Sequence, residues 1–252
     1  MDNTDKLYEI INRFDSIELK EVDQVKLMNR TDTKYWFHID ILPKVFELIH
    51  KKYFVLKING ISILPYTTTY YDSSENSMYI AHHNGKLNRF KIRTRSYLST
   101  NLSFLEIKFK NNKNRTIKKR IKITDESADF SDQGKKFISE NTLFKSDDLR
   151  PVLMNKFDRI TMVNKDFNER CTIDLNIHYK NESNKSNLRN FAIIEIKADG
   201  KNRNSSLGHA LKELKIKPSR FSKYCIGMLQ LYEGLKHNRF KSKILNINKI
   251  SL

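Results

Sequence analysis

The sequence is poor in cysteine, glycine, proline and long apolar runs. Its 252 residues include two cysteines, seven glycines and four prolines. Cys171 and Cys225 cannot build a disulfide framework and do not form a CxxC pair, so a reducing, cytoplasmic location is expected. No window is apolar for long enough to cross a bilayer, and the first residues do not resemble a signal peptide. The scarcity of glycine and proline favours long, continuous helices and strands.

Acidic residues are also scarce relative to basic ones. The chain carries 47 Lys and Arg against 29 Asp and Glu, which gives a net charge of +18 and a pI near 9.7. Such a charge indicates an anionic partner. Zinc-finger spacing, a low-complexity basic tail and the GxxxxGK[ST] phosphate loop are all missing from the sequence. Neither a P-loop enzyme nor a nucleic-acid-binding protein is therefore expected.

The basic residues concentrate in residues 86–122, which hold 13 Lys or Arg and a single acidic residue, Glu106. Basic and apolar side chains alternate in LNRFKIRTR (87–95), SFLEIKFK (103–110) and RTIKKRIKI (115–123). Because side chains alternate across a strand, this stretch predicts three strands, each with one cationic and one apolar face.

The cationic face has two interpretations. An ordinary solvated face mixes both signs, because like charges on neighbouring strands repel. The near absence of carboxylates therefore favours a surface that binds a polyanion. Arg93 and Arg95 lie two residues apart on one strand, and their guanidinium forks suit phosphate oxygens. Because each is a cation in a repulsive cluster, replacing either with Ala is expected to maintain or raise stability.

Hydrophobic periodicity predicts the remaining elements. Further strands are predicted at 30–39, 53–58, 65–72, 152–163, 170–179 and 188–198, with a hairpin loop at 180–187. Helices are predicted at 4–28 (with a second short helix over 19–28), 40–50, 130–140, 205–214 and 219–235, and a short helix or turn at 77–83. The predicted fold is α+β, a closed eight-stranded antiparallel β-barrel with helices packed outside and the charged strand faces inside. The reverse arrangement would leave the amphipathic helices nothing to cover. One domain is predicted over 1–252, with an N-terminal helical segment at 1–28 and C-terminal helices at 203–235 packed on the barrel.

Several segments resemble one family. They are RTDTKY (30–35), TTYYDS (68–73), HHNGKLNRFKIRTRSY (82–97), FLEIKFK (104–110), RTIKKR (115–120), ERCTIDLN (169–176), IIEIK (193–197) and FSKYCIG (221–227). Together they resemble the VTC-type polyphosphate polymerase domain, a member of the triphosphate tunnel metalloenzymes. The resemblance implies a β-tunnel that transfers the γ-phosphoryl group of ATP to a growing polyphosphate chain, with a divalent metal such as Mn²⁺ or Mg²⁺. It implies ATP, inorganic polyphosphate and pyrophosphate as partners.

The resemblance also implies roles for individual residues. The tunnel cations in direct contact with the reacting phosphates would be Lys34, Arg93, Arg95, Lys108, Lys118, Arg159, Arg170 and Lys223. Further substrate-binding cations would be Arg89, Lys110, Arg120, Lys197 and Arg220. Glu195 and Glu106 would hold the metal. The related CYTH branch opens with Glu-x-Glu-x-Lys, whereas Arg30 and Asp32 stand at its two Glu positions here. This departure weakens a simple triphosphatase reading.

Other roles stay open at the level of the sequence. Glu195 could instead pair with Lys197, Glu106 could form an internal ion pair, and Asp174 could hold an arginine rather than a metal. His82 and His83 are predicted to be ordinary turn residues, because adjacent side chains diverge. The basic tail at 236–243 is predicted to be solvated surface or an electrostatic guide. Hydrolysis of a triphosphate or polyphosphate, and polyanion binding without catalysis, remain alternatives to polymerisation.

Overall fold

The strands form one large sheet. The computed structural model describes residues 3–22, 25, 30–124, 130–199 and 204–251. The strands are β1 (Asp15–Ile17), β2 (Arg30–His38), β3 (Tyr53–Leu56), β4 (Leu64–Asp72), β5 (Arg89–Tyr97), β6 (Leu102–Lys110), β7 (Thr116–Ile123), β8 (Arg150–Asn164), β9 (Glu169–Lys180), β10 (Lys185–Leu188) and β11 (Phe191–Asp199). The helices are α1 (Asn3–Ile11), α2 (Leu19–Val22), α3 (Leu42–Ile49), α4 (Ser77–His83), α5 (Asp132–Asn141), α6 (Ser206–Glu213), α7 (Lys223–Leu231) and α8 (Lys241–Ser251).

The sheet is open, so the predicted closed barrel is wrong. Its main path runs β2-β11-β9-β8-β4-β5-β6-β7, and β2 and β7 at the two ends do not pair within the described residues. The free edge of β2 has another partner, because the Ser219 N–H donates to the carbonyl of Lys34 at 2.8 Å. The segment that leads into α7 therefore contacts the edge of β2 that a closed barrel would pair with β7. The main path is antiparallel, whereas β1 joins β3 in parallel.

Helices cover the convex face of the sheet. The apolar side of β2, β9 and β11 packs with α1, α3 and α6 in one core, to which Phe37, Ile173 and Ile194 belong. A smaller core joins Ile92 and Leu105 of β5 and β6 to α5. As the alternating pattern indicates, the apolar strand faces are buried under helices and the charged faces lie on the opposite, concave side.

The concave side is partly filled by α7. This helix packs Tyr224, Cys225 and Met228 into a core with apolar residues of the concave side. Gly227 permits the close approach, since a Cβ there would lie 2.6 Å from Tyr179 Cδ1. One part of the concave surface is therefore an apolar floor, and the charged side chains occupy the rest.

Four local predictions are corrected. The predicted N-terminal helices contain a short strand, β1, and the second helix is seen only as α2, with 23–24 and 26–29 outside the described residues. The predicted strand 188–198 is observed mainly as β11; β10 precedes it and pairs with the same strand, β9, and the two are interrupted at Asn190, where φ is 52°. The predicted loop 180–187 therefore includes most of β10. Helix α8 was not predicted.

Candidate functional site

Strand register places the charged residues of the basic stretch side by side. Arg93 on β5 lies opposite Glu106 on β6, and Lys108 lies opposite Lys118 on β7. On the other side of the site, Lys34 of β2 lies opposite Glu195 of β11. Residues directly opposite each other in an antiparallel pair share a face. The alternation seen in the sequence thus produces one continuous charged surface on the concave side.

Glu106 is fully buried between two cations. Arg93 donates from Nε and Nη2 to Glu106 Oε2 at 2.8 and 2.6 Å, and Lys118 pairs with Oε1. Burial alone would raise the pKa of the Glu106 carboxyl, but Arg93, Arg95 and Lys118 together hold it below its usual range. Burial, only partly opposed by Glu106, lowers the pKa of Lys118 to about 8. Both carboxylate oxygens are already engaged in ion pairs.

Asp174 on β9 has the same arrangement. Arg159 donates from Nε to Oδ1 at 2.6 Å and from Nη2 to Oδ2 at 2.8 Å, and Lys223 pairs with Oδ2. Lys223 opens α7, whose first turn is capped by the Ser222 hydroxyl. Burial opposes ionisation of Asp174, yet the two cations keep its pKa below the usual range. Asp174 therefore ties α7 to the sheet.

Glu195 completes the set of paired carboxylates. Lys34 pairs with Oε1, and Lys197 Nζ lies 3.2 Å from Oε2. Burial is outweighed by Lys197 and Lys34, so the pKa of Glu195 lies well below its ordinary value. The Glu195 side chain is 17% exposed, whereas that of Glu106 is 0% exposed. Of the two carboxylates, only Glu195 can be reached from solvent.

Two neighbouring cations, Arg95 and Lys108, have no carboxylate partner among the described residues. Arg95 donates from Nε to the Thr68 hydroxyl at 3.2 Å and lies over the ring of Phe157. Lys108 has a pKa well below its ordinary value, because Arg93 is close and because the ammonium is buried. Both are positioned to bind an incoming anion, which would relieve the repulsion between them and their neighbours.

The cluster therefore has a large excess of positive charge. In the part of the chain that the structure describes, it contains three carboxylates, those of Glu106, Asp174 and Glu195. Eight cations surround them: Lys34, Arg93, Arg95, Lys108, Lys118, Arg159, Lys197 and Lys223. Buried charges without partners are costly, so this arrangement suits a surface that is filled by a multivalent anion.

A cavity of about 1200 Å³ adjoins the cluster. Lys34 and Lys91 belong to its wall, and Lys91 lies on β5, the strand that also carries Arg93. Among the described residues, its lining includes one carboxylate, Asp32, and eight cations. These are Lys34, Arg89, Lys91, Lys110, Arg115, Arg220, Arg239 and Lys243. The cavity and the cluster together form one basic region.

Most of the predicted site residues lie in this region. Seven of the eight predicted tunnel cations belong to the cluster, and Arg170 is the one that does not. The cluster also contains Lys197. The cavity wall takes in Arg89, Lys110 and Arg220. Arg170 lies opposite Lys197 in the strand register. Burial is the main cause of the lowered pKa of Lys197, and the charge of Arg170 lowers it further. Arg120 is the outlier, since it is exposed on β7 and lies over the ring of Phe104 at 4.6 Å.

The sequence did not identify every residue of the region. Lys91 donates to the Ser222 hydroxyl at 3.0 Å, and burial lowers its pKa to about 8. Its place between Arg89 and Arg93 in the period-two pattern is a signal that could have found it. His82 and His83 were predicted to be turn residues, but they end α4 and line the cavity. Arg239 and Lys243 of the tail also line the cavity, and no periodic pattern in the sequence predicted that position.

A divalent metal fits the region in one way. No group of three or more His, Cys, Asp or Glu side chains able to hold a metal is found among the described residues. Mg²⁺-like ions, however, are commonly bound by one or two carboxylates together with the phosphates of a substrate. Glu195 fits that role through its partly exposed carboxylate. Glu106 does not, because its side chain is fully buried.

The family model described as VTC domain matches residues 29–232. No curated protein matches the sequence. A Hippeastrum protein, described as a candidate adenylyl cyclase with a dominant triphosphatase activity, is 10% identical. It aligns over 82% of this chain and 100% of its own, with a TM-score of 0.51, so it shares the fold.

A second solved structure gives a weaker likeness. It is a candidate adenylate cyclase from Vibrio parahaemolyticus, also 10% identical. The alignment covers 79% of this chain and 99% of the other, with a TM-score of 0.47. Separately, none of the helices within the described ranges is long and apolar enough to cross a membrane.

Proposed function

The chain belongs to the VTC domain family, and from this premise we propose that it transfers the γ-phosphoryl group of ATP to a growing polyphosphate chain. The observation that carries the proposal is the excess of cations over carboxylates in the concave cluster. Phosphoryl transfer needs positioning and neutralisation of phosphate oxygens more than covalent help from the protein. Arg95 and Lys108, which have no carboxylate partner among the described residues, are the first proposed phosphate contacts.

The proposed step balances without a protein nucleophile. A terminal oxygen of the polyphosphate chain attacks the γ-phosphorus of ATP, the bond from that phosphorus to the β,γ-bridging oxygen breaks, and ADP leaves. The chain grows by one phosphate. Arg93, Arg95 and Lys108 would hold the non-bridging oxygens in line and offset the charge that develops on them. Lys34 and Lys91 would hold the phosphates nearer the cavity.

Glu195 is the proposed metal-holding residue. Glu195 would hold a Mn²⁺ or Mg²⁺ ion, which would supply neutralisation of the phosphate charge. Lys34 and Lys197 now pair with Glu195, and arriving phosphates would give these two cations alternative partners. Glu106 is proposed to hold Arg93 and Lys118 in place rather than to bind metal.

The ionised state of the carboxylates in the cluster favours phosphoryl transfer over hydrolysis. Each carboxylate of the cluster is held ionised by neighbouring cations, with its pKa below the usual range, which makes it a weak general base. An attacking water needs its proton removed, whereas the terminal phosphate of a chain is already anionic. Hydrolysis of a triphosphate remains the second candidate, because the Hippeastrum protein that shares the fold is described as having triphosphatase activity.

The test is a product assay. Purified full-length chain is incubated with ATP and Mn²⁺, and the products are separated on a gel stained for polyphosphate while free phosphate is measured. Transfer predicts long polymer and ADP with little free phosphate. Free phosphate without polymer would replace the polymerase proposal with hydrolysis.

The matched variants are Glu195→Gln and Glu106→Gln. The amide is a much poorer ligand for a hard cation, so Glu195→Gln should lose metal-dependent turnover and keep its fold. Glu106→Gln should instead lower the melting temperature, because it leaves the buried Arg93 guanidinium and the partly exposed Lys118 ammonium without their carboxylate partner. Full activity of Glu195→Gln at ordinary Mn²⁺ would place the metal elsewhere.

A further inference from the structure

The segment that follows the family match contributes to the basic region. The match ends at residue 232, and residues 233–251 lead into and form α8. Arg239 and Lys243 from this segment line the cavity beside Arg89 and Lys110, which come from β5 and β6. Part of the cavity wall is therefore built by residues outside the matched domain.

This segment is held in place by specific contacts. The Tyr79 hydroxyl donates to the carbonyl of Lys236 at 2.7 Å. The backbone N–H of Arg239 donates to His83 Nε2 at 3.3 Å, and its guanidinium donates from Nη1 to the carbonyl of Asn84 at 2.7 Å. Ile247 of α8 is fully buried in the core that also contains α7. The cations of the segment thus have fixed positions at the cavity wall.

Among the described residues, no carboxylate forms an ion pair with Arg220, Arg239 or Lys243. Lys243 instead donates to the carbonyl of Arg220. The cations also lie close to one side chain, that of His82. Burial is the main reason why the pKa of His82 is well below its ordinary value, and the positive charges nearby lower it further; these are Lys91, Arg89, Lys110 and Lys243. Cations from three elements therefore surround this side of the cavity.

We propose that Arg239 and Lys243, together with Arg220, form an outer anion subsite that holds the part of a linear polyphosphate chain extending beyond the buried cluster. Strand β5 gives the distance between the cavity wall and the cluster. Arg89 at the wall and Arg95 in the cluster are six residues apart, or about 20 Å along a strand. A triphosphate can occupy the cluster alone, whereas a longer chain reaches the outer subsite. The identity of the polyanion rests on the proposed function, but the subsite itself rests on the geometry.

Polyphosphate fits this wall better than single-stranded nucleic acid does. Sequence-tolerant binding of nucleic acid uses free aromatic faces on which bases stack. Here the ring of Phe240 packs against His82 and His83, with centroids 6.3 and 5.6 Å apart, and Phe221 packs against Phe191 at 5.6 Å. The aromatic groups of the wall are packed within the protein, while Arg220, Arg239 and Lys243 have no carboxylate partner among the described residues. A chain of charges without bases matches that surface.

The test compares two charge-removing double variants. Arg239→Gln with Lys243→Gln removes the subsite charges and keeps side chains that can still donate to the Asn84 and Arg220 carbonyls. Lys241→Gln with Lys249→Gln is the matched control, because both lysines are exposed on the same helix and do not line the cavity. Binding of tripolyphosphate and of long-chain polyphosphate to the full chain is measured by calorimetry at two salt concentrations.

The subsite variant should bind long-chain polyphosphate about tenfold more weakly, the order expected for two partly screened charge contacts. Its tripolyphosphate affinity should stay within about twofold of the wild type, and the control should stay within about twofold for both probes. The salt dependence of long-chain binding should become shallower, since fewer counterions are released. The charge-conserving variant Arg239→Lys with Lys243→Arg should restore long-chain affinity, which excludes a general folding defect.

Three results would overturn the proposal. The control could lose as much affinity as the subsite variant, the loss could be equal for tripolyphosphate, or an oligonucleotide of equal charge could bind more tightly than polyphosphate and lose more. Because the assay needs no turnover, it is independent of the product assay. Failure to make polymer, with the length-dependent loss intact, would contradict only the proposed reaction.

Discussion

Two arginines on one strand, Arg93 and Arg95, differ in what surrounds their guanidinium groups. Arg93 makes two hydrogen bonds to the fully buried Glu106, whereas Arg95 donates to the Thr68 hydroxyl, lies over the Phe157 ring and has no carboxylate partner among the described residues. The sequence predicted the same outcome for both, because both are cations in a basic cluster. The ion pair reverses the expected effect on stability for Arg93, since removing one partner of a buried pair leaves the other uncompensated.

Arg93→Ala should therefore lower the free energy of unfolding by about 3 kcal/mol, near the low end for breaking a buried pair because Lys118 remains beside Glu106. Arg95→Ala should leave stability unchanged or raise it, because it relieves repulsion with Arg93 and Arg159. In the polymerase assay Arg95→Ala should still lose roughly 30- to 1,000-fold in kcat/KM. Urea unfolding without ligand and steady-state kinetics measure the two effects.

Each variant is the control for the other. Equal melting of the two variants would mean that the Arg93–Glu106 pair contributes nothing to stability. Wild-type turnover of a stable Arg95→Ala protein would remove Arg95 from the proposed phosphate contacts.

Helix α7 shows how one element links the floor of the concave side to the charged cluster. Its first residue, Lys223, pairs with Asp174, and its Tyr224 hydroxyl donates to the buried Asp72. Asp72 also accepts from the backbone N–H groups of Met78 and Tyr79 at the start of α4, each at 2.9 Å. A shift of α7 would therefore move both the cluster and the helix that carries His82.

Gly227→Ala should destabilise the protein by about 1–3 kcal/mol, although Ala is a better helix former by about 1 kcal/mol. The added Cβ would lie 2.6 Å from Tyr179 Cδ1 and 2.7 Å from Leu153 Cδ2, so α7 must shift. Polyphosphate affinity should fall as well, because Lys223 moves with the helix. Chemical unfolding and calorimetry provide the measurements.

Gly208→Ala in α6 is the matched control. Its Cβ would meet only Ser205, at 3.2 Å, and α6 packs on the convex face away from the cluster. A neutral Gly227→Ala variant, or one no worse than Gly208→Ala, would show that α7 is not closely fitted to the sheet.

At the scale of the whole molecule, the charge of the basic region couples ligand binding to pH. Burial lowers the pKa of Lys91, Lys118 and Lys223 to about 8, so part of each is neutral in the free protein above that pH. A bound polyanion favours the charged ammonium and raises these pKa values. Binding near pH 8 must then take up protons. Affinity is full below that pH and decreases as the pH rises through 8.

Long-chain polyphosphate, whose internal phosphates stay ionised, should bind at least about tenfold more weakly at pH 9.5 than at pH 7, the effect of roughly one pKa unit summed over the three lysines. Calorimetry in buffers of different ionisation enthalpy should report proton uptake at pH 8. Lys223→Arg keeps its charge at all these pH values and should reduce the uptake. Binding without proton uptake, and with a flat pH profile, would contradict the coupling.

The sequence by itself determined which side chains share a strand face. Alternation and helical periodicity are local properties, so the cationic face, the apolar face under the helices and most of the helices and strands could be predicted from short segments. The same pattern brought Arg93, Arg95, Lys108 and Lys118 to one surface. The match to a family then followed from the order of the motifs.

Only the tertiary structure decided how those charges are partnered and where the sheet ends. Lys34 and Glu195 meet although 161 positions separate them, and no local pattern shows which cation faces which carboxylate. The end strands β2 and β7 do not pair within the described residues, and the carbonyl of Lys34 on β2 accepts instead from the backbone N–H of the distant Ser219. The tail after residue 232 enters the cavity wall for the same reason: its position is set by packing of Ile247 and Phe240 against residues far away in the chain.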